Sequence, residues 1–302
     1  MATKRKIDPL SVRMLLEIVA LVTALVLLFV AIGNVWADIA SKKDDDEEDP
    51  GKSSTQGDTT PSTTVDPGPV DTSAEGVKQW FLEKNGLTEA DYPAYIWASY
   101  QTCAEWFGDD FESRDFLLNY PFKKDNTYEI DISGVDRSNG VPLFMQWDER
   151  WGYMEYGASN CGIGGCGPTS LSMVAYYLTG NPAYTPVYMM EMAKEEKYVN
   201  SSGGTNWTLF QKGAVKLGLQ IKELPAVEKR VADSVKAGKP VVVNVKESVF
   251  TKNGHYMVIV GYEDGKFRIN DPNSVEFSQQ LWDWSVIEGA AKVLWSISLP
   301  SN

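Results

Sequence analysis

From Gly76 onward the apolar residues recur first at helical spacing and then in alternation. That order limits the chain to an α+β fold, with helices packed on an antiparallel sheet rather than a doubly wound one. Val77, Trp80 and Phe81-Leu82, then Tyr95 to Phe107, then Phe116-Leu117-Leu118 fall on helical stripes, so residues 77–120 read as short helices that Pro121 stops. Tyr128, Ile130 and Ile132 alternate with acids and predict a strand. Later, helices are predicted over 185–198, 206–217 (capped by Thr205) and 227–237. Strands are predicted over 241–245, 255–262, 266–270 and 291–298, with Asp264-Gly265 turning a hairpin. Trp282 and Trp284 read as packing residues.

What precedes Gly76 has a different character. Met14 to Trp36 is almost continuously apolar, long enough to span a bilayer, which needs roughly 20 residues. Lys4, Arg5, Lys6 and Arg13 before it predict a cytoplasmic tail over 1–13, a single membrane helix over 14–36 and an extracellular remainder. A signal peptide cleaved after Ala37 is the alternative, in which case the protein is secreted. Residues 37–75, with six consecutive acids at 44–49 and many Ser, Thr and Pro, cannot bury enough apolar surface to offset ordering. They read as a tether on the order of 30–35 Å long. Residues 76–138 form a helical lead-in ending in a strand, and 139–302 the main domain.

The net charge is −13, and residues 76–302 remain acidic, with 21 Lys and Arg against 28 Asp and Glu. An acidic domain is a poor partner for phosphate backbones, so nucleic acid is excluded as a ligand. One His and three Cys without paired-ligand spacing argue against a zinc site, and no cofactor is called for.

The lone histidine, His255, stands at the head of a β-rich run, and Cys166 lies about 90 residues upstream in Gly164-Gly165-Cys166-Gly167-Pro168-Thr169-Ser170. Pro168 suits a first helical turn, Leu171, Val174, Ala175 and Leu178 form one stripe, and Gly180 ends it. Cys166 therefore sits at a helix N-terminus, which favours an anion. A neighbouring imidazole could take the thiol proton and hold it, giving a nucleophile. Such a histidine needs an orienting group: Asp271, in Asn270-Asp271-Pro272, leaves the strand after the histidine strand, and Asn270 is the runner-up. Asn-Asp-Pro is equally readable as a turn. Gln146, ending the extended run from Val141, is a candidate second donor to an oxyanion; a solvated surface Gln is the plainer reading.

Four segments taken in order resemble the bacteriocin-processing-peptidase-like cysteine peptidases (peptidase family thirty-nine), papain-like enzymes: Val141-Pro-Leu-Phe-Met-Gln146-Trp-Asp-Glu-Arg-Trp151, Gly165-Cys166-Gly-Pro-Thr-Ser170, Gly254-His255-Tyr256 and Asn270-Asp271-Pro272. The resemblance covers roughly residues 111–298, since Ser113-Arg-Asp-Phe-Leu-Leu-Asn-Tyr-Pro121 is similar to the lead-in of the stand-alone branch. It implies a papain-like fold, Cys166 as nucleophile, His255 as base, Asp271 as its orienter, Gln146 as oxyanion donor, and a peptide or protein substrate. In the transporter-fused branch the Gln lies a few residues before the Cys; here it lies twenty before. Two other functions stay open on sequence: a cell-wall peptide or amide hydrolase or transpeptidase using the same residues, and a non-catalytic binding module on a peptidase fold. Cys103 and Cys161 could pair outside the membrane, Cys161 could pair with Cys166, or both could be separate thiols. Asn206-Trp207-Thr208 matches a glycosylation acceptor.

Overall fold

In the computed structural model, residues 68–200 and 203–300 are described. The predicted tail, membrane helix and most of the tether (37–67) lie outside them, the predicted tether's last two residues already belong to a helix, and among the described residues no helix is long and apolar enough to cross a membrane.

The lead-in is helical. Helix Ala74–Asn85 begins at Ser73, whose Oγ accepts from the Gly76 amide, and ends at Gly86 in the left-handed region. Helix Ala94–Phe107 follows, then the short helices Arg114–Leu118 and Tyr120–Lys123. Pro121 does not stop helix here. It occupies the first turn of Tyr120–Lys123, where its missing N–H costs nothing. Ile96, Tyr100, Phe111, Phe116, Leu117 and Leu118 close a core of their own, which Tyr153, Trp147 and Ile163 join from the following domain. Residues 128–132 pair with no strand. Ile132 is fully buried and Ile130 packs beside it, so the alternation records which side chains turn inward, not a ladder.

A two-residue hairpin, β1 (Glu155–Tyr156) and β2 (Ser159–Asn160), leads into the short helix Cys161–Gly164 and then helix Cys166–Thr179. The latter ends at Gly180 in the left-handed region, as its sequence predicts. Helix Pro186–Glu195 is capped by Thr185. The helix predicted over 206–217 is a π turn, Leu209–Gly213, continued by one turn, Ala214–Lys216, and Thr205 does not cap it. The Thr205 hydroxyl instead meets the Tyr156 hydroxyl at 2.7 Å.

The main sheet comprises β3 (Gln220–Leu224), β4 (Val241–Val245), β5 (His255–Glu263), β6 (Lys266–Asn270), β7 (Leu281–Trp282) and β8 (Ala291–Ser298), all antiparallel, in the order β3-β8-β4-β5-β6-β7. Edge strand β3 is half exposed and carries Gln, Lys and Glu, so its sequence gave no strand signal. The β5–β6 turn takes Asp264 and Gly265 at φ 50° and 78°, the paired positive values of the hairpin turn the sequence predicts. One face, with Val242, Tyr256, Val258 and Trp295, packs on helix Cys166–Thr179; the other, with Val241, Val243, Met257 and Ile259, packs on helices Glu228–Lys236 and Trp284–Ala290. Burial on both faces explains why β4 reads as a continuous valine run.

Candidate active site

Cys166 is the first residue of its helix. The loop before it is held by close packing that only glycine permits. A Cβ on Gly165 would lie 2.4 Å from the Cys161 sulfur, and one on Gly167 would lie 2.6 Å from the Thr205 hydroxyl. Asn160 caps the preceding turn through its side chain. The helix that follows is buried from Gly167 to Tyr176, so the head of the helix is fixed while the Cys166 side chain keeps an open side.

His255 opens β5 and pairs with Val245 on β4. The Asn244 side chain donates to the His255 carbonyl at 3.0 Å and accepts from the Trp207 indole at 3.1 Å. Asn244 thus fixes the strand end from which the ring projects. The sequence carries a signal for it, a lone amide within Val241-Val-Val-Asn244-Val, that apolar patterning alone passes over.

The imidazole Nε2 lies 2.7 Å from Asp271 Oδ1. Both side chains are buried, at 8% and 1% exposure, so solvent screens the pair little. Burial by itself pulls the His255 pKa down. The Asp271 charge and hydrogen bond, with a hydrogen bond and charge from Cys166, outweigh it and lift the value to about 10. Since Nε2 is committed to the carboxylate, Nδ1 is the nitrogen left to face sulfur.

Asp271 is held in turn. Its amide donates to the Ser278 hydroxyl at 2.8 Å, and its Oδ1 also accepts from the Asn273 amide at 2.8 Å. Asn270 points elsewhere, donating to the carbonyls of Val141 and Pro142 at 2.9 and 3.1 Å. Glu112, from the lead-in, accepts from the Ser274 hydroxyl and from the amides of Val275 and Glu276, closing the start of helix Val275–Gln279 just beyond the Asp271 turn. Nothing in the local sequence around Glu112 announces this, because its partners lie more than 160 residues away.

Gln146 is buried beside the cysteine loop, its backbone amide on the Pro272 carbonyl. Its Nε2 donates to the Gly162 carbonyl at 2.8 Å and meets the Ile163 carbonyl at 3.3 Å, while Oε1 is buried without a partner. The structure therefore brings Cys166, His255 and Asp271 together and sets Gln146 against the loop four residues ahead of the sulfur.

All three cysteines are free thiols. Cys161 is fully buried, and desolvation pushes its pKa up to about 12. Burial also raises Cys103, near the Ser113 hydroxyl. Cys166 and His255 open on a cleft of about 750 Å3 with mixed walls, among them Ser159, Thr205, Asn244, Trp207 and Tyr256.

Residues 138–296, just over half of the chain, match the Peptidase_C39 like family. The chain belongs to this family. Among solved structures its C39-like domain is similar to the peptidase domain of Streptococcus ComA, a bifunctional ABC transporter of a quorum-sensing pathway (20% identity, TM-score 0.39, covering 53% of this chain and 99% of that one). It is also similar to a C39-like peptidase from Bacillus anthracis (19%, TM-score 0.37, 58% and 100%). A third likeness is to a double-glycine-motif protease from an AMS/PCAT transporter, in complex with its leader peptide (17%, TM-score 0.35, 57% and 100%). No curated protein matches the chain. The cysteine, histidine and aspartate described above all fall within the region matched to the C39-like family.

Proposed function

We propose that this C39-like protein is a cysteine peptidase in which Cys166 is the nucleophile, His255 the proton carrier and Asp271 its orienter. The observation that carries this is the buried 2.7 Å contact of His255 with Asp271, with the other side of the ring on a cysteine at a helix head. A histidine whose pKa is raised by the neighbouring carboxylate and by Cys166 is suited to hold the thiol proton as imidazolium. The thiolate attacks the scissile carbonyl carbon, and its π electrons move onto oxygen. As the tetrahedral species collapses, the C–N bond breaks and the imidazolium gives its proton to the leaving amine, which leaves a thioester. Neutral imidazole then takes a proton from water, the hydroxide adds to the thioester, and the C–S bond breaks to release the acid and restore the thiolate.

The oxyanion has two candidate donors, the Cys166 backbone N–H and Gln146. The Gln146 amide has two N–H bonds. The weaker contact, at 3.3 Å to Ile163, is the one that would yield to an oxyanion. The apolar run 14–36 supports anchoring of this domain outside a cell membrane, on the tether over 37–75. Exposure of intact cells to an external protease should remove the domain.

The decisive experiment is mass-spectrometric profiling of a peptide mixture exposed to the full chain and to Cys166→Ala, with limiting iodoacetamide labelling alongside. Fragments that vanish with Cys166→Ala, and fast labelling of Cys166 that His255→Gln slows, are expected. Absence of cleavage together with equally slow labelling in both proteins would refute the peptidase reading.

A further inference from the structure

On the Gln146 side of Cys166, beside the larger cleft, lies a second cavity of about 190 Å3 reached by the same Cys166 and His255. Its outer wall comes from residues N-terminal to the family match: Thr102, Cys103, Trp106 and Phe107 on helix Ala94–Phe107, with Leu117 behind them. Phe250 closes the opposite side. We propose that this cavity is a specificity pocket, built by the lead-in, that receives a leucine, methionine or phenylalanine side chain of the substrate beside the scissile bond. The proposal rests on the peptidase reading above.

Size and chemistry both point to that class of guest. An apolar cavity of about 150 Å3 accommodates a benzene ring, so 190 Å3 admits a branched aliphatic or phenyl side chain. The hydroxyls on the wall are already engaged: Ser113 and Ser99 with the Cys103 sulfur, and Thr102 with the Ala98 carbonyl. At the rim, Lys252 is paired with Glu105 at 3.7 Å and lies over the Trp106 ring. The larger part of what a guest meets is ring, methyl and sulfur surface from Cys103, Trp106, Phe107, Leu117, Ile163 and Phe250, with the amides of Asn253 and Asn273 also on the lining. Gln146, only 3% exposed, also lines this cavity. A charged side chain would lose hydration there that these few groups only partly replace.

The test uses the full chain and a peptide library varied at the positions flanking a cleaved bond. Wild type should prefer Leu, Met or Phe over Gly at one flanking position by about 10- to 150-fold in kcat/KM, the range expected for burying such a side chain. Thr102→Trp, which fills the cavity, should bring that ratio towards one, and Trp106→Ala, which widens it, should shift preference to larger rings. A flat profile, or the same preference in both variants, overturns the proposal. Were no peptide cleaved at all, the peptidase reading would fail by itself. The pocket is then judged by titrating Cys166→Ala with N-acetyl-leucinamide and N-acetylglycinamide and following the tryptophan indole NMR signals. Selective movement of the Trp106 signal by the leucine compound upholds the pocket, and equal or absent movement rejects it.

Discussion

His255 is favoured in its protonated form by the carboxylate that it touches at 2.7 Å, against the opposing effect of burial. Folding raises its pKa from the ordinary 6.5 to about 10. The stability this confers is therefore complete below pH 6.5 and drains away as pH climbs towards 10. Thermal unfolding midpoints should fall more steeply across that window in wild type than in Asp271→Asn, where the main raising influence is gone; parallel curves would contradict the assignment. Gln146 makes a second prediction. If its weaker N–H turns to the oxyanion, Gln146→Ala should lower kcat about 10²- to 10³-fold while iodoacetamide still labels Cys166 at the wild-type rate. A side chain that only braced the loop would alter both together. Cys161 needs no role in either: sealed from water and pushed up to about 12, it is a core residue.

At the level of elements, the lead-in reaches the Asp271 turn through Glu112. The carboxylate sits at the N-terminus of helix Val275–Gln279, where an anion at an exposed helix end is worth about 0.3–1 kcal/mol. Glu112→Ala should cost that much stability and lower kcat several-fold with KM little changed, as measured by chemical denaturation and steady-state kinetics. The sequence made the cysteine helix readable because glycines bracket it and a single stripe runs between them. It made the β5–β6 hairpin readable because Asp-Gly is one of the few pairs that readily accept positive φ at both positions. Residues 128–132 misled because alternation reports burial, and β3 escaped because an exposed edge strand carries no apolar pattern. Cys166, His255 and Asp271 could be singled out by residue type and order. Glu112 and Asn244 could not, since each acts through a hydrogen bond whose partner is set only by the tertiary fold.

The whole molecule is more than its family-matched region. Phe116 of the lead-in seats its ring against Gly152 and Gly162, where an added Cβ would lie 2.6 and 2.3 Å from ring carbons. Gly162→Ala should thus displace either the ring or the loop ahead of Cys166, lowering kcat at least tenfold with a loss of about 1–3 kcal/mol, as overpacking does; circular dichroism melting and peptide turnover would report both. A protein trimmed to residues 138–302 would expose the apolar surface of Tyr153, Trp147 and Ile163, and should bind a hydrophobic dye and melt well below the full chain. Full stability in the trimmed protein would show the lead-in to be an appendage. The wall carrying Trp106 and Phe107 is encoded in a stretch separate from the residues assigned to bond cleavage. If that wall selects the substrate as proposed, mutation can revise what is cut while the cleaving residues are left undisturbed, and divergence in the preference of related chains should be concentrated before residue 120 rather than around the sulfur.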